Sequence, residues 1–283
     1  MTFQSSQTPQ AGAESGLRVE SASFGYGEAV ILREITLAVR EGEFLSLLGP
    51  SGSGKTTLLR LLAGMAKATS GRILCRGEAV EGPGIDRGMV FQDYSLFPWM
   101  TLTENILLAI DRVNPGRNRP EKLDLAEEYL GLVGLAEARG KYPFELSGGM
   151  QQRGAIARAL ALGSSFLLMD EPFGALDPLT RMKLQDLLID IWSHADPPRT
   201  IVFVTHDVDE ALYLGDRVVI LGASPGRIIA EYAVALPRPR SRSGFFKTAG
   251  FRELREQVLE VFRQDALAQL EEGDQVKGAG EAI

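Results

Sequence analysis

The chain has 283 residues, a formal net charge of -7 and one cysteine, Cys75. A single cysteine excludes an internal disulfide framework and fits a reducing compartment, and the acidic balance argues against a general nucleic-acid binder, which carries a basic excess. The first residues do not resemble a secretion signal and no apolar run approaches the ~18 residues of a membrane span, so we expect a globular domain with an ordinary core.

The first part of the chain is predicted to hold five β-type runs and one helix. We expect residues 1–16, rich in Ser, Gln, Gly and Ala, to be a disordered tail. The next two runs, LRVESASF and ILREITLAV, are separated by the turn-like GYGEA and are predicted to form a separate antiparallel sheet. Then come the apolar run EFLSLLG, a glycine-rich turn, the predicted helix KTTLLRLLAGM, and two more strands, GRILCRGEAV and RGMVFQD.

The middle of the chain is predicted to be helical, and strands return after it. The predicted helices are TLTENILLAI, EKLDLAEEYLGLVGL and GGMQQRGAIARALAL, and the first has Thr101 and Glu104 at capping-box spacing. The later strands are SFLLMD, TIVFVTHD and RVVILGA; the helix between the first two has Asp177 as its cap and Pro178 at its first position. This alternation predicts an α/β fold with a mainly parallel sheet and a helical subdomain inserted at about residues 93–163.

The last part of the chain is predicted to be a linker and a helix. LPRPRSRSG, at Leu236 to Gly244, is basic and interrupted by proline, so we divide the chain into a folded part, residues 17–240, and a C-terminal part, residues 241–283. The spacing of five apolar residues predicts an amphipathic C-terminal helix: Phe251, Leu254, Val258, Phe262 and Leu270. This helix either docks on its own domain or binds a partner.

The glycine-rich turn after EFLSLLG fits the phosphate-loop pattern G-x-x-x-x-G-K-[ST] at every fixed position. Its residues are Gly49, Pro50, Ser51, Gly52, Ser53, Gly54, Lys55, Thr56 and Thr57. The glycines let successive N–H groups face one anion, and the following helix adds its positive end. Lys55 is predicted to reach the outer phosphates, and the Thr56 hydroxyl to bind Mg²⁺. The strand before and the helix after argue against a chance turn, but kinases, GTPases and motors share this loop, so it predicts nucleotide binding alone.

Two acids end the strand SFLLMD and begin the next turn. A phosphate loop needs a carboxylate on a neighbouring strand to hold Mg²⁺, and Asp170 occupies that place. Glu171 is then free to orient and deprotonate the water that attacks the γ-phosphate. The alternative is that both acids only cap a loop.

His206 follows the strand TIVFVT, at the sheet edge where ligands of α/β folds bind. We expect it to hydrogen-bond the γ-phosphate, although a histidine at a strand end can also be purely structural. Asp207 and Glu210 have capping-box spacing and are assigned a structural role in the next helix. His194 lies in a polar loop and receives no role.

The stretch LSGGMQQR, Leu146 to Arg153, opens a second helix with a second pair of glycines. Bare amides at the start of a helix form an anion site. This site has no lysine of its own and no apolar strand before it, so it is incomplete. An incomplete anion site is explained if another copy of the chain brings the phosphate.

With these motifs, residues 17 to about 240 resemble the ATPase subunit of ATP-binding-cassette (ABC) transporters, whose motif order they follow. The resemblance implies a P-loop NTPase (RecA-like) core with an antiparallel β subdomain and an inserted helical subdomain that carries the signature, Leu146 to Gln152. It further implies that Tyr26 stacks on adenine, that Gln92 senses Mg²⁺ and the attacking water, and that Asp177 belongs to a loop crossing a dimer interface. Two residues depart from the common pattern: Met150, where many members have Gln, and Gly154, where a helix former is commoner.

The resemblance also implies ATP and Mg²⁺ as ligands and a head-to-tail homodimer in which each ATP lies between two chains. The implied catalytic residues are Lys55, Gln92, Glu171 and His206. The implied metal ligands are Thr56, Gln92 and Asp170. The implied contacts to the partner's ATP come from Ser147, Gly148, Gly149, Met150, Gln151 and Asp177.

The runs GPGIDRGMVFQ, LFPW, DEPFGALD and ALPRPR most resemble importer subunits of the nitrate, sulfonate and taurine group. This resemblance implies separate transmembrane permease subunits, an extracytoplasmic solute-binding protein, and a peripheral position on the cytoplasmic face of the inner membrane. It leaves the solute open. Phe97, Pro98 and Trp99 are predicted to form an exposed apolar patch that contacts the permease; the alternative is that Trp99 packs inside the helical subdomain.

Three other classes of function stay open. An exporter could carry its permease on another chain. A non-transport ABC ATPase acting on DNA or ribosomes would be expected to carry a coiled-coil or zinc insertion or a second cassette, and none is visible in the sequence. A phosphate-loop kinase would lack LSGGM.

Overall fold

The computed structural model describes residues 15–223 and 225–280, with side chains for residues 16–223 and 225–268. Most of the predicted tail therefore lies outside the described residues, but Ser15 and Gly16 already belong to the first strand, so the predicted boundary at residue 16 is too late. The strands are β1 (Ser15–Tyr26), β2 (Ala29–Arg40), β3 (Phe44–Leu48), β4 (Ser70–Cys75), β5 (Glu78–Ala79), β6 (Arg87–Val90), β7 (Phe166–Asp170), β8 (Thr200–Thr205), β9 (Arg217–Gly222) and β10 (Arg227–Ala233). The α-helices are α1 (Lys55–Leu62), α2 (Leu102–Val113), α3 (Arg119–Leu132), α4 (Gly148–Ala161), α5 (Pro178–Ser193), α6 (Val208–Leu214), α7 (Arg242–Phe245) and α8 (Ala249–Gly280).

Six strands form the central sheet, in the order β10-β9-β3-β8-β7-β6. Strands β9, β3, β8, β7 and β6 are parallel to one another, and β10 pairs antiparallel with β9 at one edge of the sheet. Strands β3, β7, β8 and β9 are buried at every position, because helices or the second sheet cover both faces. The predicted mainly parallel sheet is confirmed, whereas β10 was not predicted.

The early strands form a second, antiparallel sheet in the order β2-β1-β4-β5, as the sequence predicts. Leu17 and Leu37 of this sheet share one apolar cluster with Leu58 of α1 and Val204 of β8. The opposite face of the central sheet packs against the other helices in a second cluster. Because α1 is sandwiched between the two sheets, the phosphate loop in front of it sits on a rigid support.

Helices α2, α3 and α4 lie between β6 and β7 in the chain, where the inserted helical subdomain is predicted. The capping box of Thr101 and Glu104 is confirmed. A Cβ atom on Gly154 would lie 2.8 Å from Leu102 Cδ2, so the close approach of α2 to α4 accounts for a glycine where a helix former is commoner. Trp99 is 68% exposed, so the alternative that it packs inside this subdomain is wrong.

The predicted linker is packed against the domain, which corrects the sequence interpretation. Arg240 is buried, and its guanidinium donates to the backbone oxygen of Val234 and to the end of α6. In α8, Phe251 and Val258 are buried in the core, so the helix docks on its own domain; the side chain of Leu270 lies outside the described residues. Among the helices of the described residues, none is both long and apolar enough to cross a bilayer.

Candidate functional site

The phosphate loop joins β3 to α1 and takes its shape from glycines with positive φ. Gly52 has φ 82° and Gly54, the cap of α1, has φ 84°, a region where side chains with a Cβ are strained. A Cβ atom on Gly54 would also lie 2.5 Å from Leu32 Cδ2, so the loop lies directly on β2. Because α1 starts at Lys55, the first amides of the helix open toward the loop. The loop thus has the geometry of a phosphate cradle.

The Lys55 side chain is folded into the same loop. Its ammonium donates to the backbone oxygens of Gly49 and Pro50, both at 2.9 Å, and lies 3.9 Å from Glu171 Oε1. Burial lowers the pKa of Lys55, while the carboxylates of Glu171 and Asp170 act in the opposite direction. The ammonium is therefore a nearly buried cation that can exchange its carbonyl partners for phosphate oxygens.

The other loop residues differ in exposure. Pro50, Ser51 and Gly52 are exposed, Thr57 is half-buried and Ser53 is buried. Ser53 Oγ has no hydrogen-bond partner among the described residues. A hydroxyl without a partner inside the cradle is compatible with a polar ligand in the loop.

A hydroxyl and a carboxylate meet beside the loop. Thr56 Oγ1, in the first turn of α1, donates to Asp170 Oδ1, at the end of β7, at 2.9 Å. Burial raises the pKa of Asp170, whereas the hydrogen bond from Thr56 lowers it. Hard oxygen ligands next to a phosphate loop fit Mg²⁺, which takes its remaining ligands from phosphate and water. These two residues therefore fit the predicted metal site.

Glu171 and His206 face each other across the ends of β7 and β8. His206 Nδ1 lies 3.1 Å from Glu171 Oε2. Glu171 has φ 43°, an unusual value for a non-glycine residue, and its backbone N–H donates to the oxygen of Val204 at 3.1 Å. The strained backbone holds one carboxylate oxygen toward Lys55 and the other toward His206.

Gln92 and Tyr26 are the remaining residues of the predicted nucleotide site outside the signature segment. In the β6–β7 ladder Val90 pairs with Met169, so Gln92 and Glu171, each two residues further on, lie at the same sheet edge. The side chain of Gln92 is exposed. Tyr26 ends β1 with 65% of its surface exposed and packs edge-on against Phe24, with ring centroids 5.0 Å apart. Its open ring suits a base-stacking role.

The glycine pair at Gly148 and Gly149 begins α4, and Ser147 caps that helix by accepting a hydrogen bond from Met150 N at 3.4 Å. Gln151 Nε2 donates to the oxygen of Leu146, which fixes the turn. No hydrogen bond or ion pair among the described residues joins this segment to the phosphate loop of its own chain. Within one chain, the predicted site residues therefore form two separate groups.

The glycines of the signature segment also allow close packing within the chain. A Cβ atom on Gly149 would lie 2.5 Å from Thr180 Cγ2, and one on Gly148 would lie 3.0 Å from the Tyr94 hydroxyl. Thr180 belongs to the first turn of α5, which Asp177 caps through the N–H groups of residues 179 and 180, as predicted. Hydrogen bonds from Thr180, through its side chain and its backbone N–H, and from the backbone N–H of Leu179 lower the pKa of Asp177.

The hydrogen bonds that hold Glu210, close behind His206, were not predicted from the sequence. The predicted capping box of Asp207 and Glu210 is only half formed: Asp207 Oδ1 accepts from Glu210 N at 3.0 Å, but the Glu210 carboxylate does not return the bond. It is instead buried and accepts from Thr205 and Gln185. Burial raises the pKa of Glu210, and both hydrogen bonds lower it. Gln185 is far away in sequence, so no local pattern could have indicated this contact.

One edge of the parallel sheet carries a phosphate cradle, a carboxylate pair and a histidine, and this combination defines a P-loop ATPase. The serine-capped helix α4, in a subdomain inserted between β6 and β7, distinguishes one family within that class. The model of the ABC transporter family matches residues 32–174, and the chain belongs to this family. It is an ATP-binding cassette that hydrolyses ATP, with Mg²⁺ as the metal.

Three known proteins illustrate the similarity. The nitrate import ATP-binding protein NrtC of Synechococcus elongatus is 49% identical over 86% of this chain, which spans only 37% of that longer protein. The aliphatic sulfonates import ATP-binding protein SsuB of Bacillus licheniformis is 44% identical over 91% of this chain and 97% of its own length. A solved dimeric structure of the ATP-binding cassette MJ0796 in a post-hydrolysis state with ADP and Pi has a TM-score of 0.69 and 32% identity, over 78% of this chain and all of that one.

Proposed function

We propose that this chain is the ATP-hydrolysing subunit of an ABC importer, which energises the uptake of a small solute of the nitrate, sulfonate or taurine type through separate permease subunits. The observation that carries the proposal is similarity over nearly the full length of an aliphatic sulfonate import subunit, combined with a complete set of nucleotide-site residues. The cassette proper begins with β1 at Ser15 and extends to about residue 240, with the helical subdomain at about 93–163; a C-terminal extension follows from residue 241.

Two copies of the chain form the working ATPase. Each ATP lies between the phosphate loop of one copy and Ser147, Gly148, Gly149, Met150 and Gln151 of the other, while Asp177 lies at the interface. The absence of a bond between these groups within the described residues supports this arrangement, as does the dimeric state of the MJ0796 cassette. Such a pair is isologous, with two equivalent centres. ATP closes the pair because it binds both surfaces at once, and hydrolysis of its γ-phosphate releases them.

Each residue of the centre has a distinct task. Tyr26 stacks on adenine, the amides of Gly49 to Thr57 hold the phosphates, and Lys55 neutralises the outer ones. Thr56, Asp170 and Gln92 hold the metal. Mg²⁺, when bound, neutralises charge on the phosphate oxygens.

Proton transfer falls to Glu171. Its carboxylate takes the proton of the attacking water, while His206 steadies that carboxylate and donates a hydrogen bond toward the γ-phosphate. The 3.1 Å contact between the two side chains supports this division of roles. The positive φ of Glu171 is consistent with strain retained at a reacting centre.

Two exposed aromatic pairs, one after Gln92 in the chain and one before the signature segment, are suited to contact the permease. Trp99 is 68% exposed and lies 5.5 Å from the Phe97 ring, and Pro98 between them is also exposed. Phe144, 75% exposed, stacks on Tyr142 just before the signature segment. Exposed aromatic groups of this size mark interaction surfaces. Binding here would place the chain peripherally at the cytoplasmic face of the inner membrane, with an extracytoplasmic solute-binding protein as an indirect partner.

The test is copurification from membranes followed by a transport-coupled ATPase assay. We expect the full-length chain to carry a multi-span permease with it, and nitrate, a sulfonate or taurine to stimulate ATP hydrolysis once the complex and its binding protein are reconstituted in vesicles. Trp99→Ala should reduce retention of the permease, whereas Leu267→Ala, at a comparably exposed apolar side chain on α8, should not. A chain that hydrolyses ATP at full rate but retains no membrane protein would contradict the importer proposal.

A further inference from the structure

Helix α6, which directly follows His206, is held at both ends by the C-terminal segment, defined here as residues 236–268. Arg255 of α8 donates to Asp209 Oδ1 in the first turn of α6, at 2.6 Å. At the other end, the buried Arg240 donates through Nη1 to three backbone oxygens, those of Leu212 (3.1 Å), Tyr213 (2.9 Å) and Gly215 (2.7 Å). The guanidinium thereby satisfies carbonyls that a helix end leaves without partners.

A third arginine of this segment begins a series of hydrogen bonds that leads into the site. Arg242 Nη2 donates to Gln185 Oε1 on α5 at 2.9 Å. Gln185 Nε2 donates to Glu210 Oε1 on α6 at 2.6 Å. Thr205 Oγ1, at the end of β8, donates to Glu210 Oε2 at 2.5 Å. The series ends at the residue directly before His206.

The direction of each bond in the series is fixed by chemistry. Arginine can only donate, so the oxygen of the Gln185 amide faces Arg242 and its nitrogen faces Glu210. Gln185, Glu210 and Thr205 are 5%, 8% and 2% exposed, so water cannot easily replace a lost partner. If the Gln185 amide were rotated by 180°, its oxygen would face the Glu210 carboxylate. Gln185 Oε1 and Glu210 Oε1 would then both lack a donor.

Thr205 transmits this order to the backbone around His206. Its hydroxyl accepts from Asp207 N at 3.0 Å while it donates to Glu210, so it connects the residues on both sides of His206. The His206 side chain itself is 60% exposed, and its contact with Glu171 therefore depends on the position of this backbone.

We propose that Gln185 and Glu210 are positioning residues for His206, and that docking of Arg242 on Gln185 sets the turnover rate of the ATPase centre. The inference rests on the role proposed above for His206. Release of the C-terminal segment frees the Gln185 amide, loosens the Thr205–Asp207 turn and lets His206 leave Glu171. Turnover then falls, while ATP affinity is kept because the phosphate loop is untouched.

The test compares ATP hydrolysis by full-length variants, measured as release of inorganic phosphate. Gln185→Ala and Arg242→Ala should each lower kcat about fivefold to tenfold, with KM for ATP unchanged. The double variant should be no slower than the slower single variant, because both changes break the same series. Thr205→Ser keeps the hydroxyl and should keep the wild-type kcat. Thr205→Val has a similar shape but no hydroxyl, and its kcat should fall.

The matched control is Arg263→Ala, an arginine of α8 that pairs with Glu260 and Glu256 of its own helix. It should keep the wild-type kcat. Losses that multiply in the double variant, or a lower melting temperature with kcat unchanged in Gln185→Ala and Thr205→Val, would overturn the inference.

His206→Ala, assayed in parallel, separates this inference from the proposed function. If His206→Ala retains full turnover, the role of His206 fails and the inference fails with it. If His206→Ala is inactive while Gln185→Ala and Thr205→Val are fully active, the inference alone is wrong.

Discussion

His206 Nδ1 and Glu171 Oε2 lie 3.1 Å apart, at the ends of two neighbouring parallel strands. The contact exists although the two residues are separated by 35 positions in the chain. Glu171 has a positive φ of 43°, and its two carboxylate oxygens have different neighbours: Oε1 faces Lys55 and Oε2 faces His206.

Glu171→Gln should preserve ATP binding and lower turnover by at least about 100-fold, since a general base commonly contributes that much. The amide keeps the size of the side chain but cannot accept the proton of water. We also expect ATP to trap the variant as a dimer, which gel filtration with and without ATP would reveal. A variant that hydrolyses ATP near the wild-type rate would remove Glu171 from the proton-transfer step.

Ser147→Arg should abolish turnover without weakening ATP binding to the isolated chain. The long cation would fill the start of α4, where the proposed dimer receives the partner's phosphate, while the chain's own phosphate loop stays intact. Calorimetric titration of dilute protein would measure the affinity, and phosphate release at high protein concentration would measure turnover. Loss of ATP binding by the single chain would contradict the assignment of this segment to the partner's site.

Lys55→Ala should weaken ATP binding by at least about tenfold, because hydrogen bonds to a charged group contribute on the order of 1.5–3 kcal/mol. The side chain reaches into the phosphate loop, where its ammonium meets the oxygens of Gly49 and Pro50. Equilibrium titration with a fluorescent ATP analogue would measure the change. Lys67→Ala, at an exposed lysine that pairs with Glu81, is the control and should bind ATP normally. Unchanged affinity in Lys55→Ala would contradict the phosphate-loop assignment.

Gly149→Ala should destabilise the chain by about 1–3 kcal/mol, because the added methyl group overlaps Thr180 Cγ2. Combining it with Thr180→Ser removes the clashing methyl group and keeps the hydroxyl, so the double variant should regain most of the stability. Urea unfolding would measure both changes. Gly131→Ala, in α3 with no neighbour within 4 Å of the new atom, serves as control and should not be destabilised. A double variant as unstable as Gly149→Ala would exclude this packing explanation.

Cys75 should react slowly with iodoacetamide at about pH 8. Burial, assisted by the hydrogen bond to Asp86, raises the pKa of the Cys75 thiol to about 11, so only about a thousandth of it is the reactive thiolate at that pH. Unfolding in urea returns the pKa to its ordinary range and should accelerate labelling, which mass spectrometry would follow. Rapid labelling of the folded chain would show that this strand is more open than its burial indicates.

The phosphate loop and the two acids at the end of β7 could be assigned from the sequence because their proposed chemistry requires fixed residue types at fixed spacings. The burial of the strands also follows from short apolar runs. The sequence did not predict β10, since an edge strand with mixed exposure has no strong pattern. It also suggested a free linker where Arg240 is buried, because a basic, proline-containing stretch says nothing about carbonyl groups that lie elsewhere in the fold.

The residues of the candidate site also divide into those that the sequence indicates and those that only the fold brings together. The residues proposed to touch the nucleotide belong to motifs, and their local spacing indicates them. The residues behind them do not: Gln185 and Glu210 meet only because α5 and α6 pack side by side. Gly154 departs from the common sequence pattern, and the reason lies in the fold: Leu102 of α2 packs directly against it.

The position of Ser147 at the start of a helix, apart from the phosphate loop of its own chain, has a genetic consequence. In the proposed pair, a Ser147→Arg subunit would disable the centre that belongs to its neighbour and leave its own centre usable. In cells that express both alleles equally, about half of the complexes would then be mixed, each with one working centre. If uptake needs both, the defective allele would act dominantly, and growth on the transported nutrient would decline with the square of the intact fraction.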